Sequence, residues 1–115
     1  MEALKQYIPL KSKITIYVPA TINVDEAIDN APQVERVART LSECFGGATS
    51  TPAQGFWLSE SGSLVCEKTT MVFAYCSTEQ AEKYIEDIVR LCVILKYEMS
   101  QEAIALEYNS EMYFI

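Results

Sequence analysis

Residues 13–18, Lys-Ile-Thr-Ile-Tyr-Val, alternate strictly, with Ile14, Ile16 and Val18 on one side and Thr15 and Tyr17 on the other. A period of two marks a half-buried strand, and Pro19 ends it. A polar connection, Ala20 to Asp29, leads to a first helix over about 31–45. Pro32 falls in its first turn, Gln33 is placed to complete a capping box with Asn30, and Val34, Val37, Leu41, Cys44 and Phe45 recur at helical spacing. Gly46 suits the left-handed turn that closes a helix. Residues 47–54, small and hydroxylated, read as a loop, and Gly55–Ser59 as a short strand before the turn Glu60-Ser-Gly62. From Leu64 the pattern predicts a hairpin partner, a polar interruption at Glu67–Thr70, and a buried strand over Thr70–Cys76. Ser77 or Thr78 caps a second helix, along which Ala81, Tyr84, Ile85, Ile88, Cys92, Leu95 and Met99 form one stripe. Ala103–Tyr108 and Glu111–Ile115 flank Asn109-Ser110 as a terminal hairpin.

The order strand, helix, strands, helix, strands predicts an α+β, ferredoxin-like domain spanning residues 1–115. Two helices cover one face of a mostly antiparallel sheet that carries a C-terminal hairpin. The second sheet face then has no layer of its own. Tyr17, Trp57, Tyr75, and Phe73 or Val72 need cover from elsewhere, so a homodimer or higher oligomer is expected.

Composition narrows the chemistry. The chain has 115 residues, 9 Lys plus Arg against 16 Asp plus Glu, a formal charge of −7 and no histidine. The acidic balance argues against a nucleic-acid polymer or an anionic membrane as partner. Lack of histidine removes the usual general base, the Ser/His and Cys/His pairs and the commonest metal ligand, so no metal and no cofactor are expected. The start shows no apolar signal stretch, and the longest apolar runs, Met71–Cys76 and Leu91–Leu95, fall far short of the roughly 20 residues of a membrane span. Cys44, Cys66, Cys76 and Cys92 lack C-x-x-C spacing and lie on apolar helix faces or in strand-like runs. They read as buried free thiols, and the location as cytoplasmic.

Several groups are candidates for a ligand site, each with a plainer alternative. Gly46, Gly47, Thr49, Ser50 and Thr51 offer backbone N–H groups and hydroxyls for a phosphate or ribose, against a helix end followed by a surface loop. Trp57 would add a stacking wall for a base. Glu67, set among strand-like flanks, would accept from a ligand amine or hydroxyl, or else is a solvated edge position. Arg36 and Arg39 would grip an anion together, against a solvated helix face with Glu35 and Glu43 as neighbours. Among the tyrosines, Tyr17 and Tyr75, and then Tyr108 and Tyr113, stand on strands. Catalytic carboxylates would have to come from Glu67, Glu102 and Glu107, whose spacing does not bring them together.

Three stretches, Ile16-Tyr-Val-Pro-Ala-Thr-Ile22, Phe45-Gly-Gly-Ala-Thr-Ser-Thr51 with Gly55-Phe-Trp57 and Glu67, and Gln101-Glu-Ala-Ile104 with Glu111-Met-Tyr-Phe-Ile115, resemble an uncharacterised group of small ferredoxin-like proteins of bacteria and their phages. The resemblance implies a fold and a genomic setting, without an activity. The expectation is a non-enzymatic binder of a small nucleotide-like ligand, a phage or mobile-element protein sequestering a defence signal. Two alternatives stand beside it. One is an acidic antagonist or adaptor that binds a host defence protein, and the other is a small enzyme working through carboxylates or tyrosine.

Overall fold

The central strand β1 (Ser12–Pro19) sends Ile14, Ile16 and Val18 into the core, each with no exposed surface, as its alternation requires. The computed structural model describes residues 1–23 and 26–115. A short 3₁₀ turn (Glu2–Leu4) precedes β1, and two short strands, β2 (Thr21–Ile22) and β3 (Glu26–Ala27), pair within the connection read as irregular. Val24 and Asp25 of that connection lie outside the described residues. Helix α1 (Ala31–Phe45) follows, then strands β4 (Thr49–Leu58) and β5 (Leu64–Cys76). Helix α2 (Thr78–Glu98) and strands β6 (Ala105–Tyr108) and β7 (Glu111–Phe114) complete the chain.

The sheet order is β4-β5-β1-β6-β7 with every pair antiparallel, and both helices pack on one face, the ferredoxin-like plan expected. The core between the layers joins Ile14, Ile16 and Val18 to Val37 and Leu41 of α1, Val72 and Ala74 of β5, and Ile88, Cys92 and Leu95 of α2.

Both helix ends follow local chemistry, though not always the chemistry expected. Ser77 caps α2: its hydroxyl accepts from the Gln80 N–H at 3.1 Å, and Gln80 Oε1 accepts in return from the Ser77 N–H at 3.0 Å. Asn30 makes no such cap. Its Nδ2 donates to Val18 O, Pro19 O and Thr70 Oγ1, each at 3.2 Å, and Asp29 accepts from the Ala31 N–H instead. The Asn30 amide therefore ties the start of α1 to the end of β1 and the middle of β5. Gly46 closes α1 at φ 90°, as the left-handed turn demands.

The expected loop at 47–54 is corrected. From Thr49 onward every residue of β4 pairs with β5, in unbroken register from Thr49↔Phe73 to Leu58↔Leu64. The expected interruption at Glu67–Thr70 is absent for the same reason. A continuous ladder satisfies the backbone through a polar stretch that side-chain pattern alone reads as a break. This long hairpin helps stretch the molecule to 53 Å along its longest axis.

All four cysteines are free, yet Cys66 is exposed rather than buried because it sits on the hairpin away from the helices. Cys76 and Cys92 are buried, and burial pushes the Cys92 thiol up to about 12. Among the described residues no helix is long and apolar enough to cross a membrane.

Ile16→Ala is expected to cost about 2–5 kcal/mol of folding free energy, read by urea denaturation, because it empties the middle of the core. A thiol-reactive dye is expected to label Cys66 at once in the native protein. Cys76 and Cys92 should react only on unfolding, and rapid native labelling of either would contradict their burial.

Candidate functional site

The sheet face turned away from the helices is defined by register. On it stand Lys13, Thr15 and Tyr17 of β1, Met71, Phe73 and Tyr75 of β5, Thr49 and Thr51 of β4, and Glu107 of β6. One row across the sheet runs Thr49, Phe73, Thr15, Glu107, Met112. Val72, the alternative to Phe73, points into the core with no exposed surface.

Tyr17 donates from its hydroxyl to Glu107 Oε1 at 3.4 Å across this face. Burial, then the Glu107 charge, then that hydrogen bond hold the phenol above its ordinary ionisation range. Lys13 Nζ stands 4.6 Å from the Phe73 ring centroid and 5.4 Å from that of Tyr75, and the two rings meet edge to face. The Thr15 hydroxyl is buried in the same row and has no hydrogen-bond partner. Aromatic walls, a carboxylate, an ammonium and an unused hydroxyl therefore share one surface, suited to a ligand with an apolar ring system and charged substituents.

The candidates drawn from sequence divide. Gly46, Gly47 and Thr49 line a shallow cleft of about 420 Å³ together with Phe73 and Tyr75, so this group does meet an aromatic wall. Thr51 shares the open face and Ser50 points to the opposite one. Trp57 is not beside them: it lies eight residues further along the extended strand β4, roughly 27 Å away. Its neighbour on the hairpin is Glu67, which pairs with Gly55 on the same face as Trp57. Glu67 lies six residues along β5 from Phe73, whose row holds Glu107, so the two glutamates stand roughly 20 Å or more apart and form no catalytic pair within one chain. Glu102 is exposed in the connection after α2.

Arg36 and Arg39 belong to the helix layer and do not converge. Arg36 donates to Glu98 of α2 at 2.7 Å, whereas Arg39 meets Glu35 at 3.4 Å on its own helix rather than Glu43. Tyr108 packs against the core, and Tyr113 donates to Glu111 at 2.9 Å. The plainer alternative, a helix surface with carboxylate neighbours, describes them: one inter-helix ion pair and one local one. Lys13 and the Tyr17–Glu107 contact escaped the sequence reading. Lys13 shares the parity of Thr15 and Tyr17, but the β1–β6 register that brings Glu107 to them is long-range. Among the described residues no cluster of Cys, Asp and Glu is arranged to hold a metal ion.

No protein-family model matches the chain, and no curated protein matches it in sequence. Solved structures do. A phage SAM lyase in complex with S-methyl-5′-thioadenosine superposes with TM-score 0.67 at 17% identity, covering 97% of this chain and 95% of its own. The periplasmic divalent cation tolerance protein CutA from Archaeoglobus fulgidus superposes with TM-score 0.52 at 15% identity, covering 84% and 79%. CutA from Synechococcus elongatus gives TM-score 0.52 at 12%, covering 89% and 78%. These likenesses share the ferredoxin-like fold. They also correct the expectation of a non-enzymatic protein, since a lyase has this fold over nearly the whole chain. That expectation rested on the missing histidine, which by itself excludes only chemistry that needs an imidazole.

Spectrophotometric titration is expected to find the Tyr17 phenol ionising above the ordinary value of 10.0. In Glu107→Gln it should move back only in part, since burial is the larger cause. The sign for stability follows from the unfolded chain releasing its proton first. The contribution is whole below about pH 10 and is lost as pH rises through the folded value.

Proposed function

We propose that this protein is a small enzyme that binds a sulfonium nucleoside of the S-adenosylmethionine type on its open sheet face and cleaves it to methylthioadenosine. The observation that carries the reading is the aromatic surface of Tyr17, Phe73 and Tyr75, with the Glu107 carboxylate hydrogen-bonded among them. The likeness to a phage SAM lyase holding the thioadenosine product supports it.

The chemistry suits a chain without histidine. A sulfonium is its own leaving group: when the substrate's carboxylate oxygen bonds to Cγ, the Cγ–S pair goes to sulfur. The products are neutral methylthioadenosine and a four-carbon lactone that keeps its ammonium. No proton is transferred. Two opposite charges vanish in this step, so a surface poorer in water than bulk solvent favours it. Aromatic rings supply such a surface and also attract the cation before reaction.

The same reading includes a homo-oligomer in which a second copy covers the open face and the Trp57–Glu67 end of the hairpin reaches a neighbour's site. Exposure of Trp57, Tyr75 and Phe114 supports it. A phage or mobile-element origin, and a role in depleting a nucleotide-like host metabolite, belong to this proposal as well. Destruction by turnover would achieve more per molecule than sequestration.

Incubation with S-adenosylmethionine, followed by chromatography and mass detection, is expected to yield methylthioadenosine and homoserine lactone in equal amounts. Glu107→Gln should raise KM about 10- to 100-fold, the range for losing a charged hydrogen bond, with a smaller change in kcat. Intact substrate recovered at all enzyme concentrations would overturn the reading.

A further inference from the structure

We propose that the cleft between the start of β1 and the Asn109-Ser110 turn seats the zwitterionic head of an α-amino acid, Lys13 taking the carboxylate and Glu107 the ammonium. For the identity of the rest of the ligand this rests on the sulfonium nucleoside reading; the cleft itself is argued from its own residues.

The cleft measures about 520 Å³, and Lys13, Glu107, Tyr75 and Ser110 are among the residues that line it. It therefore contains two cations, Lys11 and Lys13, and one anion, Glu107, that face the same space. Their nitrogen and oxygen atoms nonetheless make no ion pair within 4.0 Å, and among the described residues none of the three pairs with any other charge. Lys13 rests against two aromatic rings, and one Glu107 oxygen accepts from Tyr17. Two opposite charges held apart on one cleft match a ligand that carries both, in reverse order, a few ångströms apart. A simple cation would meet two ammonium groups, and a simple anion would leave Glu107 unmatched. An α-amino acid satisfies both signs of charge.

The surrounding backbone is fixed in advance. The Lys13 N–H donates to Asn109 Oδ1 at 2.9 Å, and the Asn109 N–H donates to Lys13 O at 3.1 Å. Asn109 Nδ2 also donates to Ser12 Oγ at 3.3 Å. Asn109 and Ser110 hold the left-handed conformation, φ 51° and 71°, that a two-residue hairpin turn requires. A lysine backbone clamped at both its donor and acceptor loses little further freedom when its side chain engages a ligand. Two residues along β1 on the same face, the unpartnered Thr15 hydroxyl lies directly opposite Glu107.

Calorimetry on the wild type and on Lys13→Met, which keeps the stem against Phe73 and Tyr75 but drops the charge, separates the possibilities. The probes are S-adenosylhomocysteine, methylthioadenosine (the same nucleoside without the amino-acid head) and L-methionine. The expected result is that wild type prefers adenosylhomocysteine to methylthioadenosine by tenfold or more. Lys13→Met should abolish that preference while leaving methylthioadenosine affinity unchanged. Equal wild-type affinities, or a preference that survives the substitution, would overturn the cleft while leaving the nucleoside reading intact. Binding of L-methionine alone, lost in Lys13→Met, would uphold the cleft and refute the nucleoside reading. No binding of any probe would refute both. Thermal denaturation of Lys13→Met confirms that the comparison is between folded proteins.

Discussion

Two helices can shield only one side of a five-stranded sheet, and most of what is distinctive here follows from that shortage of cover. On the shielded side, Ile14, Ile16, Val18 and Val72 meet the helices and need no polar partners. On the other side, the same strands present Lys13, Thr15, Tyr17 and Tyr75, residues that combine apolar bulk with a polar or charged end. A sheet built this way is stable as a fold yet incomplete as a surface. The period of two makes the two properties inseparable, because moving β1 by one residue would exchange its core for its site.

The elements themselves were legible where one segment's own chemistry decides them. The strand over 13–18, α1 with its Gly46 end, and α2 with its Ser77 cap all follow from spacing and local hydrogen bonding. What failed was whatever depends on a partner strand. Residues 49–54 form a strand because β5 supplies every backbone partner, although Thr, Ser and Pro read as loop formers in isolation. The Asn30 amide bonds β1 and β5 in preference to its own helix, a choice created only when those strands are in place.

The site shows the same division. Tyr17 and Tyr75 were visible as outward residues of two strands, and Gly46, Gly47 and Thr49 do share a cleft with Tyr75. In a loop, the six residues from Thr51 to Trp57 would leave the two adjacent; in an extended strand they span roughly 20 Å. Arg36 and Arg39 looked like a clamp because they are three apart, but each finds a different carboxylate. Glu107 and Lys13 carry the strongest chemistry, and only the pairing of β1 with β6 makes them neighbours.

That pairing bears on how the chain reaches its native state during synthesis. Residues of β1 find their two sets of partners as far along as Cys76 and Tyr108, so the middle of the sheet cannot close until most of the chain has left the ribosome. At about 5–20 residues per second, an alternating apolar strand waits for several seconds with both edges unpaired. Such a strand is a template for wrong partners, including the same strand on a neighbouring nascent chain. Two features temper the hazard: β4 and β5 form a local hairpin that can assemble first and offer β1 a ready edge, and Lys11 and Lys13 stand at its start. Yield in a translation system should therefore depend more on the speed of elongation between β1 and β5 than on the final stability of the fold.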